Sequence, residues 1–189
     1  ARKRFLKSDR TEMGHIDRAV QRAILARSGV GVELISKGRT VYRVASDRSL
    51  RGRIESFFGK EIAEGLIEVS GGGEAGTIHG LVGSPSLSRG NASMVHFFVN
   101  GRFVQDRRLL AAVGDAYRDY LPPRRYPIAF LFLDLPPEDV DVNVHPRKLE
   151  VRFRRADRLY PLVRSSLISS LGGPRLPSPD PGPAIDRVR

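Results

Sequence analysis

The 189-residue chain has no cysteine and no tryptophan, and only 7% of it is aromatic. The missing thiols exclude disulfides, thiolate nucleophiles and cysteine-based zinc sites together. No apolar run approaches the roughly 20 residues of a membrane-spanning helix. The basic opening Ala1-Arg2-Lys3-Arg4 leads into no signal-like apolar core, so no membrane partner is expected and the expected compartment is the cytoplasm. Motifs of stand-alone enzymes are absent too: no G-x-x-x-x-G-K-[ST], G-x-S-x-G or H-E-x-x-H occurs.

What is present is a soluble globular composition, 40% hydrophobic and 28% charged, of a length that suits one domain or one domain with a tail. The net charge is +11, and 27 of the 32 basic residues are arginine. The excess is uneven: +9 over residues 1–60, −2 over 61–120 and +4 over 121–189. A large basic excess favours a polyanionic partner, and arginine suits phosphate because its fork binds bidentately. A GC-rich genome would enrich arginine equally well.

Hydrophobic periodicity predicts a helix over Thr11–Ser28, with Ile16, Ala19, Val20, Ala23 and Ile24 on its buried face. Ser8, Asp9 or Thr11 would cap it, Gly29 would end it, and Arg18 and Arg22 would share an exposed face. A hairpin follows from Val30–Ser36 and Arg39–Ala45, then a short helix over Leu50–Phe58 burying Leu50, Ile54 and Phe57. Leu66–Ser70 and Gly76–Gly83 read as a strand pair, with Gly71-Gly72-Gly73 as the loop between them. Ser84–Ser93, rich in Ser, Gly, Pro and Asn, reads as a mobile surface loop. Met94–Val104 is a β segment broken by the tight-turn dipeptide Asn100-Gly101. Asp106 caps a helix to Tyr120 whose buried stripe is Leu109, Leu110, Val113, Ala116, Tyr117 and Tyr120. Ile128–Leu135 reads as a strand buried on both faces. Val140–Val144 and Leu149–Phe153 alternate, and Leu159–Leu171 is a last amphipathic helix with Pro161 near its start. Gly173–Arg189 has five prolines and no period, so it reads as a linker or disordered tail. This element order suits an α+β two-layer sandwich with helices on a mixed sheet.

Two segments carry chemistry. Phe97-Phe98-Val99-Asn100-Gly101-Arg102 delivers Arg102 just after a tight turn, with Arg107 and Arg108 close behind. These guanidiniums could meet phosphate or simply face solvent. In Asp141-Val142-Asn143-Val144-His145-Pro146-Arg147-Lys148, alternation sends Asp141, Asn143 and His145 to one face. Pro146 cannot donate to a ladder, so pairing fails there and Lys148 projects from a bend. Asn143 and His145 would satisfy backbone donors and, with Pro146, fix that bend. A carboxylate, an amide and an imidazole make a poor metal set, so no metal is expected.

At these segments the sequence resembles the MutL family of DNA mismatch-repair ATPases. The resemblance rests on Val99-Asn100-Gly101-Arg102, Ala116-Tyr117, Arg125-Tyr126-Pro127 and the whole run Val140–Phe153, whose family form is V-D-V-N-V-H-P-x-K-x-E-V-R-F. Ala1–Lys7 and Gly14-His15-Ile16 match as well, so the likeness spans about residues 1–171. It implies a transducer domain over residues 1–172, with 173–189 as a proline-rich linker. The implied fold is that of the second domain of a small-subunit ribosomal protein. It includes a left-handed β-α-β crossover, expected over 94–104, 106–120 and 128–135; that hand is rare.

The resemblance also implies roles. Lys148 would reach the γ-phosphate of ATP bound in a preceding GHKL domain, whose own motifs are absent here. Arg102, Arg107 and Arg108 would contact DNA. The segment would have no catalytic residue and no cofactor of its own; the full-length protein would use ATP with Mg. The implied partners are DNA, the GHKL domain of the same chain, a MutS-type mismatch-recognition protein and a second copy in a homodimer. Arg147 departs from the alanine of many relatives and adds charge beside Lys148. Two other readings stay open: a stand-alone RNA- or DNA-binding module of ribosomal-protein type, and a type II topoisomerase transducer, although no Q-T-K run occurs.

Overall fold

The computed structural model describes residues 9–27, 29–36, 38–46, 48–141 and 151–172. The chain divides into two compact units, residues 1–59 and 60–189.

The first unit holds α1 (Asp9–Leu25), the hairpin β1 (Val32–Ser36) and β2 (Arg39–Val44), and α2 (Leu50–Phe58). Its core is Ile24, Leu25, Val44 and Ile54. The apolar stripe expected along α1 is only partly used: Ile16 is 48% exposed, Ala19 and Ala23 are exposed too, Val20 is half-buried and only Ile24 is buried. Burial is confined to the last turn, where α2 meets α1. Period names a face but not how far along the helix its cover extends. In α2 the sequence reading also needs correction. Ile54 is buried as expected, but its buried neighbour is Arg53, while Leu50 and Phe57 are half-exposed.

The second unit opens with a short helix the sequence did not signal, α3 (Lys60–Glu64), followed by β3 (Leu66–Gly73) and β4 (Gly76–Gly83). Gly71–Gly73 belong to the strand rather than to a loop. A Cβ at Gly71 would collide with Ser166 Oγ, so the missing side chain admits the close approach of a helix. The spacing Gly71-x-Gly73-x-x-Gly76 therefore lies on a β-hairpin, and not on the strand-to-helix turn that binds phosphate.

Next come β5 (Ser88–Arg89), a 3-10 turn over Ala92–Met94, β6 (Val95–Val99), β7 (Arg102–Val104) and α4 (Arg107–Ala116). β8 (Tyr126–Pro127), β9 (Ala129–Asp134), β10 (Val140–Asp141), β11 (Arg152–Phe153) and α5 (Ala156–Ser170) complete the unit. Five strands form one mixed sheet in the order β3-β4-β9-β6-β7. β6 and β9 are parallel neighbours linked through α4, and every other pair is antiparallel.

Helices α4 and α5 pack on each other, and α5 lies on β3. Phe97, Val99, Leu131 and Leu133 face Leu109, Val113, Val163 and Leu167 in one core. The expected stripe of α4 is buried apart from the half-exposed Leu110. The Tyr117 hydroxyl donates to Gly83 O at 2.6 Å, and burial raises its pKa. The opposite strand positions carry an aromatic row, with Phe98 stacked on Phe132 at 4.7 Å and His96 on Phe130 at 5.2 Å. Leu159, Leu162, Val163, Leu167 and Leu171 are buried as their spacing implied. α5 nevertheless starts three residues before Leu159, so Pro161 sits in its second turn and forfeits one backbone bond.

Candidate functional site

The Asn100-Gly101 turn forms as the dipeptide requires. Both residues have positive φ, 48° and 73°, and β6 and β7 pair Val99 with Arg102 across it. Asn100 is more than a turn former. Its Nδ2 donates to Leu135 O at 3.0 Å, its Oδ1 accepts from Leu135 N at 2.9 Å, and its backbone N–H donates to Leu133 O at 2.9 Å. The turn is thereby pinned to the end of β9, and it holds Arg102 exposed at one end of the sheet.

The Asp106 carboxylate caps α4, accepting from Arg108 N at 2.8 Å and Leu109 N at 2.9 Å. Arg107 and Arg108 follow in the first helical turn, both exposed. Cations at a helix N-terminus oppose the macrodipole, so helix stability does not account for them. The three arginines do not form one cluster. β7 runs back along β6, and Arg107 lines a cleft with Ala92, Val95 and Phe97, at the starting end of β6. Arg102 stands opposite Val99, at the other end of β6.

Asn143, His145, Pro146 and Lys148 lie outside the described residues. Their flanks are described. β10 and β11 pair antiparallel, Val140 with Phe153 and Asp141 with Arg152, so the chain leaves and returns at one place. Beside that place, the buried Asp139 accepts Arg154 N at 2.9 Å through its backbone carbonyl and pairs with Arg155 Nε at 3.3 Å. Among the described residues no group of three or more His, Cys, Asp or Glu could hold a metal, and no helix is long and apolar enough to cross a membrane.

Ser84–Ser93 differs most from its sequence reading. It carries β5, which pairs Ser88 with Pro127 and Arg89 with Tyr126 on β8. Arg125 secures it, donating from Nε to Ser88 Oγ at 3.1 Å and from Nη2 to Ser88 O at 3.0 Å. Leu87 and Arg89 are buried. Local composition could not reveal a partner strand 38 residues away.

This mixed-sheet α+β architecture has counterparts among solved structures. A crystallised N-terminal domain of a DNA repair protein has the same fold, with TM-score 0.71 and 21% identity over 89% of this chain and 56% of that one. The ADP complex of the Aquifex aeolicus MutL ATPase domain has TM-score 0.51 and 21% identity over 86% of this chain and 51% of that one. The family model for the C-terminal domain of DNA mismatch repair proteins matches residues 54–172. DNA mismatch repair protein MutL of Geobacter sulfurreducens is 39% identical over 90% of this chain, and that of Opitutus terrae 41% over 90%. The chain belongs to the MutL family of DNA mismatch-repair proteins. It spans about a quarter of the length of these relatives, 28% and 27%.

Proposed function

We propose that the chain is the transducer segment of a MutL-type mismatch-repair ATPase, coupling a nucleotide pocket in a preceding GHKL domain to DNA. Residues 1–172 are the working segment and 173–189 the linker. The observation that carries this reading is the run Val140–Phe153, whose two ends pair with each other as β10 and β11. Lys148 lies between those ends in sequence and acts as the γ-phosphate contact, with Asn143, His145 and Pro146 supporting it.

A charge-assisted hydrogen bond contributes about 1.5–3 kcal/mol. The contact exists only while the terminal phosphate does, so hydrolysis of ATP, bound with Mg, releases the segment and shifts its orientation. The segment itself contributes no catalytic group. Arg102, Arg107 and Arg108, exposed and presented by a pinned turn and a capped helix, hold backbone phosphates without reading bases. A MutS-type protein and a second copy of the full-length protein complete the assembly, which works in the cytoplasm.

Replacing Lys148 with Ala in the full-length protein slows ATP turnover at least ten-fold while leaving DNA binding without nucleotide unchanged. Unchanged turnover would remove the sensor role. In the same protein, the double change Arg102→Glu and Arg107→Glu weakens duplex binding and lowers its salt slope by about two. An unaltered slope would move the DNA site elsewhere.

A further inference from the structure

We infer that the β5–β8 ribbon carries a phosphate-oxyanion site centred on Arg89, separate from Arg102 and Arg108. The inference rests on the DNA-binding reading above for its natural ligand, though not for its chemistry.

Arg89 is 8% exposed, and both its terminal nitrogens are buried with no hydrogen-bond partner among the described residues. A guanidinium does not deprotonate in a protein. Burying it unpaired costs several kcal/mol, which a methionine of similar length would avoid. The surroundings do not relieve the charge. Among the described residues no ion pair involves Arg89, Arg124 or Arg125. Arg125 is committed to Ser88, next to Arg89, and exposed Arg124 is held at φ 65° just before it. Three cations thus share one short ribbon without an acid.

The geometry points to an oxyanion. Two free terminal nitrogens of one planar fork suit two oxygens of one phosphate. The ribbon is also held on both sides of Arg89: Ser88 by Arg125, and the next turn by Asn91, whose side chain accepts from Ser93 N at 3.0 Å. That turn begins at Ala92, which lines the cleft with Arg107. A backbone phosphate at Arg89 would extend the track that Arg107 begins. The nitrogens are covered in this state, so phosphate reaches them only when the residues over Arg89 give way.

The test uses the full-length protein with saturating ADP, so that the nucleotide pocket is filled. Inorganic phosphate, titrated at constant ionic strength against chloride, raises the melting temperature of the native protein. Arg89→Met abolishes that rise, and Arg89→Lys, which keeps the charge but not the fork, reduces it. A random-sequence duplex binds the Arg89→Met protein three- to ten-fold more weakly, with a salt slope lower by about one. A phosphate response with unchanged duplex binding assigns the site to free phosphate and keeps the chemistry. A phosphate response identical in all three proteins, together with unchanged duplex binding, overturns the site. Arg102→Glu separates the two readings. If it leaves duplex binding intact while Arg89→Met loses the phosphate response, the DNA reading fails and the oxyanion site stands.

Discussion

Among the described residues, two arginines are buried, Arg53 in the first unit and Arg89 in the second, and their surroundings treat them in opposite ways. Arg53 is 1% exposed and fully occupied. Its Nε donates to Arg48 O at 3.1 Å, Nη1 to Ile24 O at 3.3 Å and Val30 O at 3.0 Å, and Nη2 to Ser46 O at 3.1 Å. Those carbonyls belong to the end of α1, the approach to β1 and the loop before α2. One planar fork therefore ties together three pieces of a unit whose apolar core is small. Arg89 is nearly as deep, yet both its terminal nitrogens are without partners. The same side chain is a cross-brace where backbone acceptors converge on it and an unspent charge where none does. Burial alone does not distinguish structure from function; the partner count does.

The largest effect should come from breaking the occupied case. Arg53→Met leaves four carbonyls without their donor, and loss of a buried hydrogen-bonded charge costs on the order of 3–5 kcal/mol. Urea denaturation followed by hydrogen exchange should show residues 9–59 losing protection well before the five-stranded sheet. Arg53→Lys should rescue little, because one ammonium cannot reach acceptors on three segments at once. A native-like unfolding curve for Arg53→Met would show that the four bonds contribute nothing net.

How much of this was legible beforehand depended on the range of the interactions. The Asn100-Gly101 turn, the Asp106 cap, the α4 stripe and the buried strand of β9 are written within a few consecutive residues, and each formed as its local signal required. Arg53 is not legible in the sequence because its acceptors lie 5 to 29 residues away and are backbone, which no side-chain pattern records. Ser84–Ser93 read as mobile for the same reason: its order comes from Arg125 and from pairing with β8. Gly71 looked like loop until Ser166 explained the missing side chain. At the candidate site, the arginines were legible as residues but not in their arrangement. The course of β7 back along β6 sets Arg102 apart from Arg107, and only the register shows that.

A smaller effect sharpens the comparison by asking what partners contribute to a polar side chain of the second unit that is exposed rather than buried. Asn100 exchanges two bonds with Leu135 and takes a positive φ. Asn100→Ala forfeits both, for about 2 kcal/mol, and adds about 1 kcal/mol of left-handed strain. Asn100→Gly removes the bonds without the strain, so the difference between the two variants in melting temperature isolates each contribution. If Asn100→Gly melts with the native protein, the bridge to Leu135 contributes nothing, and polar groups of this unit are indifferent to partners generally.

The smallest effect belongs to Arg89 itself. In buffer free of phosphate, Arg89→Met should change stability by less than about 1 kcal/mol, or raise it. Removing an unpaired buried charge relieves desolvation and strands no acceptor, because no acceptor was using it. The apolar replacement keeps an unbranched stem of similar length. Arg53→Met and Arg89→Met are thus the same chemical change at similar depth, and the difference between their unfolding free energies measures what partners contribute. A loss at position 89 as large as that at position 53 would mean that Arg89 is held by the fold after all, and the contrast between the two arginines would collapse.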